Sequence, residues 1–277
     1  MQTANMAQRN LSGTVTFSFG RNWQDFLARY MTPDREDIAI RSLTDFLERQ
    51  DLRGLSFLDI GCGSGLFSLA AVRLGAQKIV SMDVDPFSYD CAQGLRQTVG
   101  SPSSWQIICG SILDNNCVSR IEPANIVYAW GSLHHTGNMW QAIRNTCNLV
   151  APGGFLYLGI YNKMEGRDGS QYWLRIKKLY NRCPTGGKRL LEVAYVLRHQ
   201  VLPNLIRLKH PFASWRNYHQ ARGMNPWIDV RDWLGGFPYE FASIDEVFRF
   251  CSREMGLHLV NLRAADNIGV NEFLFRK

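Results

Sequence analysis

Phe57-Leu58-Asp59-Ile60-Gly61-Cys62-Gly63-Ser64-Gly65 is the stretch that decides the fold of this 277-residue chain. An apolar run breaks into three alternating glycines and then into the apolar-periodic stretch 66–74, which predicts a buried strand, a tight turn and a helix. The turn needs glycine because its backbone must come close to a ligand and adopt conformations that a Cβ forbids. We therefore expect a ligand to lie on this turn.

The acidic residue that ends the next apolar run indicates which ligand. Asp83 closes the run 79–83, 18 residues after Gly65, where its carboxylate can accept hydrogen bonds from both hydroxyls of a ribose. The spacing G-x-G-x-G differs from the dinucleotide fingerprint G-x-G-x-x-G. Asp59 also places a carboxylate at the first strand's tip, which would repel a pyrophosphate and attract an amino acid's ammonium. The sequence therefore favours S-adenosylmethionine over NAD.

These motifs resemble those of the class I S-adenosylmethionine-dependent methyltransferases, whose first motif commonly reads L-D-I-G-C-G-x-G. The stretches 130–137 (WGSLHHTG) and 160–162 (IYN) are similar to the group labelled like the ubiquinone-pathway quinol methylases. The resemblance covers roughly residues 55–162 and 240–277. It implies a Rossmann-like, doubly wound α/β sheet of seven strands with the last strand antiparallel.

Strands and helices alternate through the rest of the core. We expect strands at 105–113, 124–130 and 155–160 and helices at 90–99 and 139–149, an alternation that forces a parallel sheet covered on both faces. A helix at 244–255 and strands at 257–262 and 271–275 should complete it. The expected organisation is an N-terminal helical or flap segment (1–50), a methyltransferase core (51–162), a basic helical cap insertion (163–239) and the C-terminal part of the core (240–277).

The cofactor contacts follow from the resemblance. Many relatives have an acid after the third strand that meets the adenine, but Gly110-Ser111-Ile112 stands here, so adenine recognition is assigned to Ser111 and Ile112. The full set of expected cofactor residues is Asp59, Gly61, Cys62, Gly63, Gly65, Asp83, Val84, Ser111, Ile112 and Trp130.

Two histidines follow the fourth strand, where ligands bind in open α/β sheets. Either His134 or His135 could act as general base as the methyl group arrives, and we favour His135. Alternatively the pair packs under the cofactor or bonds the backbone, because methyl transfer can also proceed through orientation alone.

Two further segments are candidates for the site. The aromatic stretch 17–23 is either a flap over the cofactor or a hydrophobic anchor, with Arg21 or Arg29 as an alternative partner for the cofactor carboxylate. The segment 218–240 is rich in groups that hydrogen-bond, stack or titrate. The expected acceptor-binding residues are Tyr161, Tyr218, Arg222, Asp229, Asp232 and Tyr239, although Asp229 and Asp232 could instead pair with nearby arginines.

The basic charge of the chain is concentrated in the insertion. Residues 164–223 carry 12 Lys and Arg against 3 acids, a net charge of +9, whereas the whole chain carries +7, so the remainder carries −2. The apolar spacing is helical, and such helices can cap a pocket, lie on an anionic membrane surface or meet phosphates. Nucleic acid ranks last because no RNA-binding module is evident.

Composition limits the remaining choices. Seven cysteines without a C-x-x-C pair indicate neither a disulfide framework nor a metal site. There is no signal-peptide pattern and no apolar run of about 18 residues, so we expect a cytoplasmic protein. The leading hypothesis is methylation of a small molecule, with oxygen as the favoured acceptor atom. An RNA methyltransferase and a non-catalytic cofactor-binding scaffold remain alternatives, and the oligomeric state is left open.

Overall fold

The protein is described here by a computed structural model that covers residues 19–20, 23–24, 27, 33–210 and 226–277. Its centre is a seven-stranded sheet in the order β3-β2-β1-β4-β5-β7-β6. The strands are β1 Ser56–Ile60, β2 Lys78–Asp83, β3 Trp105–Cys109, β4 Ala124–Trp130, β5 Val150–Tyr161, β6 His258–Arg263 and β7 Val270–Arg276. The first five run parallel, while β7 pairs antiparallel with both β5 and β6. The predicted fold class is confirmed.

Helices connect the strands and cover both faces of the sheet. They are α1 Pro33–Leu47, α2 Leu66–Arg73, α3 Pro86–Thr98, α4 Asn115–Val118, α5 Met139–Asn148, α6 Ser170–Arg182, α7 Thr185–Val196, α8 Leu202–Ile206, α9 Pro226–Gly235 and α10 Ile244–Arg249. One apolar core lies between the sheet and α5 with α10, and a second lies under α1 and α2. Within the described ranges, no helix is both long and apolar enough to cross a membrane.

The third strand is shorter than the sequence predicts. It ends at Cys109 because the Gly110 N–H donates to the Asp83 carbonyl (2.8 Å) and the chain then turns. Ser111 closes that turn, since its side chain accepts from the Leu113 N–H and its carbonyl accepts from the Asp114 N–H. The late helix also differs, because α10 continues as a π-helical turn at Phe250–Glu254.

The helices of the insertion build a small core of their own. Helices α6, α7 and α9 bury a third cluster that consists of Trp173, Tyr180, Val196, Val230, Leu234 and Tyr239. Arg231 on α9 reaches Glu192 on α7 (3.4 Å), a partner outside its own segment. Tyr161, at the end of β5, packs against this cluster and joins it to the sheet.

Candidate cofactor and acceptor site

The glycine turn lies at the carboxyl end of β1. Gly61, Gly63 and Gly65 have φ angles of 72°, 54° and 82°, a left-handed region that favours glycine. A Cβ on Gly61 would lie 2.3 Å from the Ser132 Cβ, and one on Gly65 would lie 2.9 Å from the Ala92 Cβ. The turn therefore excludes side chains by both backbone conformation and space.

Asp83 stands beside this turn at the end of β2. Its Oδ2 accepts from the Gly63 N–H and its Oδ1 from the Asp85 N–H, both at 2.9 Å. Burial raises its pKa to about 6, so the carboxyl is mostly ionised at neutral pH. An ionised carboxylate has about four acceptor positions, and the two backbone bonds leave capacity for two ribose hydroxyls. The next side chain, Val84, is 58% exposed and is available to a ligand there.

Asp59 has a different role from the one expected. Its side chain is buried, and its Oδ2 accepts from the Ser68 hydroxyl at 2.6 Å. Ser68 in turn accepts from Ser81, and Ser81 from the Trp105 indole N–H, which forms a chain of hydrogen bonds between β1, α2, β2 and β3. Burial raises the Asp59 pKa to about 7. The expectation that Asp59 binds the cofactor's ammonium is therefore corrected: the carboxyl fixes the elements beneath the glycine turn.

The remaining expected cofactor residues divide into two groups. Ile112 packs in the main core and is 5% exposed, which corrects its assignment to the adenine. Cys62 is buried as well, and its N–H donates to the Met82 carbonyl (3.0 Å). Ser111, which is half-buried in the turn after β3, stays a candidate for the adenine.

Trp130 lies at the end of β4 against Gly159 of β5, whose added Cβ would lie 2.7 Å from the indole. It is 41% exposed and forms one wall of a cleft of about 260 Å³. Leu66 and Phe67, directly after the glycine turn, line the same cleft. Trp130 thus stays a candidate for contact with the cofactor.

Parts of the N-terminal segment lie over the site. The Gly20 N–H donates to the Asp85 Oδ2 at 2.9 Å, and a Cβ on Gly63 would lie 2.8 Å from the Trp23 Nε1. The Phe19 ring lies 4.8 Å from the His135 ring. These contacts place Phe19, Gly20 and Trp23 beside the glycine turn and His135, where a flap is expected. Phe17, Ser18, Arg21, Asn22 and Arg29 lie outside the described residues.

His135 has the geometry of a general base. Its Nδ1 lies 2.6 Å from the Pro238 carbonyl oxygen. Because a carbonyl oxygen can only accept, Nδ1 carries the hydrogen and Nε2 presents its lone pair. Burial lowers the pKa of His135 to about 3, so the imidazole is neutral at physiological pH.

His134 has the opposite arrangement and cannot be the base. Its Nδ1 accepts from the Tyr161 N–H (3.3 Å), so Nε2 carries the hydrogen. The residue is fully buried, and Nε2 has no hydrogen-bond partner among the described residues. Burial holds its pKa well below the usual value. The candidate catalytic role of His134 is therefore corrected to that of a buried N–H donor.

The structure brings some of the expected acceptor residues to these histidines. The Tyr161 ring lies 3.9 Å from the His134 ring and 5.2 Å from the Tyr239 ring. Asp229 lies in the first turn of α9 and Asp232 one turn later. Tyr218 and Arg222 lie outside the described residues.

The sequence reasoning missed Lys177. Its side chain is fully buried, and its ammonium donates to the Trp233 carbonyl and lies 4.1 Å and 4.7 Å from the Trp233 and Tyr239 ring centroids. Burial lowers its pKa to about 7, while the charge of Asp232 opposes that shift. A signal was present, because Lys177 follows Trp173 by four residues and precedes Tyr180 by three, within the buried stripe of α6. A lysine in an apolar stripe is therefore a candidate site residue.

A larger cleft, of about 540 Å³, lies along the faces of β2 and β3 and reaches α4. Neither Asp83 nor the two histidines line it. We therefore place the chemistry at the strand ends, where the polar groups converge, and not in this larger cleft.

Comparison with known proteins supports the fold and the part of the chain that contains the glycine turn and Asp83. The family described as ribosomal protein L11 methyltransferase matches residues 40–127. Proteins of that name from Vibrio vulnificus and Photobacterium profundum are 48% and 26% identical over 129 residues, covering 47% of this chain and 41% of each relative. The chain thus spans less than half the length of the curated relatives it matches.

A solved structure extends the likeness to nearly the whole chain. The magnesium protoporphyrin IX methyltransferase from Synechocystis, crystallised with S-adenosylhomocysteine, has a TM-score of 0.55 and 12% identity, and the match covers 93% of both chains. At that identity the likeness concerns the fold.

Two expectations are corrected by these relatives. The curated matches carry the name of ribosomal protein L11 methyltransferase, not of the quinol methylase-like group. That name specifies a protein as acceptor, so the expected small-molecule acceptor was wrong, and the relatives lend no support to a membrane-surface contact. The chain has the fold of the class I S-adenosylmethionine-dependent methyltransferases.

Proposed function

We propose that this chain is an S-adenosylmethionine-dependent methyltransferase that modifies a protein. The observation that carries the cofactor assignment is the position of Asp83, whose carboxylate is held against the glycine turn with acceptor capacity left for a ribose. The glycine turn 61–65 and Asp83 are also the residues on which the resemblance to the class I methyltransferases rests. A protein acceptor is supported by the name of the matched relatives.

The chain's own residues divide the work as follows. S-adenosylmethionine supplies, when bound, a methyl group already activated on a sulfonium. Asp83 holds the ribose, and the Gly61–Gly65 turn lets the backbone approach the ligand. The Nε2 of His135 takes the proton that the acceptor's attacking group loses, because Pro238 fixes the imidazole in the tautomer with a free lone pair. Trp23 and Phe19 cover the site and reduce access of water.

Binding of the demethylated product tests the cofactor assignment. Calorimetry should give a dissociation constant for S-adenosylhomocysteine in the micromolar range, about −8 kcal/mol. Asp83→Ala should weaken binding by ~1.5–3 kcal/mol because charge-assisted hydrogen bonds are lost. Asp245→Ala, at an exposed side chain on α10, is the matched control and should leave affinity unchanged. Equal affinity of the Asp83 variant and the wild type would remove Asp83 from the site.

Transfer of a labelled methyl group tests the acceptor class. The enzyme and methyl-tritiated S-adenosylmethionine are added to a cell extract, which is then separated into protein, RNA and small-molecule fractions. We expect protease-sensitive, nuclease-resistant label that forms more slowly with His135→Ala. Label confined to the RNA or small-molecule fraction would refute the protein acceptor, and no label with intact cofactor binding would favour the scaffold.

A further inference from the structure

Four side chains that carry hydrogen-bond donors belong to one aromatic cluster beside His135. The cluster consists of His134, Tyr161, Lys177, Trp233 and Tyr239. His134 Nε2 and Trp233 Nε1 are buried and have no hydrogen-bond partner among the described residues. The Tyr239 hydroxyl is also buried, and Ser170 is its polar neighbour. The fourth donor is the buried ammonium of Lys177, which spends one bond on the Trp233 carbonyl.

These buried donors do not stabilise the folded protein. A buried polar group without a partner costs about 1–3 kcal/mol, and native proteins hold few of them. The aromatic rings of Trp233 and Tyr239 stabilise the Lys177 charge but offer no oxygen to the other donors. The missing component is therefore a group that accepts hydrogen bonds.

The donor set selects the chemistry of that group. An ionised carboxylate only accepts, has two oxygens with about four acceptor positions, and carries one negative charge. The cluster offers one cation for the negative charge. Its four donors, counting that cation, suit the four acceptor positions. A phosphate monoester would bring a charge of about −1.5 to −2 to one buried cation that already faces the charge of Asp232.

The location connects the cluster to methyl transfer. His134 and Tyr161 end β4 and β5, next to His135, and ligands of open α/β sheets bind outside these strand ends. Lys177 and Trp233 come from α6 and α9, so the insertion closes over the same place. Asp232 also faces Lys177 from α9 and opposes the fall in its pKa, so a ligand carboxylate would be the second acid there.

We propose that this cluster is the subsite for a carboxylate of the methyl acceptor, with Lys177 as its counter-ion. The inference rests on the proposed function and deepens it, because it names the chemical group by which the acceptor is held. In a protein acceptor that group is a side-chain or chain-terminal carboxylate.

Benzoate is a suitable probe, because its ring can stack on aromatic side chains and benzamide is its neutral analogue. Each is titrated by calorimetry into the full chain saturated with S-adenosylhomocysteine. We expect benzoate to bind at least tenfold more tightly than benzamide, and its affinity to fall as the pH rises from 6 to 8 because Lys177 loses its proton. Lys177→Met should abolish the preference.

Lys188→Met is the matched control, since Lys188 also lies over a ring, that of Tyr180, but outside the cluster. It should leave benzoate binding unchanged. Equal binding of the two probes, binding of neither, or retention of the preference in Lys177→Met would overturn the subsite. Competition between benzoate and S-adenosylhomocysteine would also overturn it, because the carboxylate would then be the cofactor's own. The affinity for S-adenosylhomocysteine is measured first. A wrong subsite can then be distinguished from a wrong cofactor assignment.

Discussion

The two histidines show how much a single hydrogen bond decides. They are neighbours in sequence, yet Pro238 makes one a proton acceptor at Nε2 and the Tyr161 N–H makes the other a donor there. Sequence reasoning could favour His135 but could not assign the tautomers, because both partners come from elements that are remote in sequence. The alternation at β4 and β5 predicted where the pair lies, and tertiary contacts decide what each imidazole does.

His135→Ala should lower turnover by about 10² while affinity for S-adenosylhomocysteine changes little. This is the low end of what a positioned base contributes, because burial lowers the His135 pKa far below the operating pH and weakens the imidazole as a base. Its pKa of about 3 means that the imidazole stays neutral from pH 5 to 8. The rate should therefore show no histidine inflection near pH 6.5, in contrast to the rise with pH that an ordinary histidine would give. His258→Ala, at an exposed position on β6, is the control. A rate that titrates near 6.5 and loses this dependence in His135→Ala would contradict the assignment.

Lys177→Met should stabilise the protein at pH 6 while it removes carboxylate binding. The pKa of Lys177 in the folded protein is about 7, whereas an ordinary lysine has a pKa of 10.5. Between these values the unfolded chain binds more protons, so stability rises with pH there, and the cost of the buried charge is fully present below pH 7. An apolar side chain of similar size removes this cost. Thermal unfolding from pH 6 to 10 should be less pH-dependent in the variant; a lower melting temperature at pH 6 would mean that Lys177 is needed for the fold.

At the scale of elements, the sequence predicted those strands and turns that depend on neighbouring residues, through apolar periodicity or glycine. Strand β4 has the bounds expected from its apolar run, and all three glycines of the turn have positive φ. The prediction made strand β3 too long, because Ser111 forms a turn through its side chain that an apolar run does not reveal. Asp59 was misassigned for a related reason, since its partner Ser68 lies on the following helix, nine residues on.

Gly61→Ala tests the turn as an element. The substitution combines a φ of 72° with a Cβ 2.3 Å from that of Ser132, so we expect lower stability and product affinity reduced at least tenfold. Gly94→Ala is the matched control, because Gly94 lies within α3 and an added Cβ there meets nothing within 4 Å. It should stabilise the chain by about 0.5–1 kcal/mol. The melting temperatures of the two variants and titrations with S-adenosylhomocysteine compare their stability and affinity. If Gly61→Ala keeps both the stability and the affinity of the wild type, the turn tolerates a side chain.

At the scale of the whole molecule, charge and chemistry are divided between the sheet and the insertion. The sheet carries Asp83 and His135, while residues 164–223 carry a net charge of +9. Helix α6 shows the division on its two faces, since Trp173 and Lys177 are buried and Arg175, Lys178 and Arg182 are exposed. The sequence predicted the basic cap, but the inward position of one lysine among twelve basic residues required the packed structure.

The exposed charges of α6 should then govern encounter with the acceptor and not the chemical step. Replacing Arg175, Lys178 and Arg182 together by Gln should raise KM for an acidic protein acceptor several-fold and leave kcat and product affinity unchanged, because surface charges act chiefly on association. Raising the salt from about 50 to 200 mM should reduce wild-type kcat/KM and affect the triple variant less, since the Debye length shortens. Lys177 remains in both proteins, so benzoate binding is the internal control. If the triple variant instead loses kcat with KM unchanged, this face takes part in the chemistry and the division between sheet and cap does not hold.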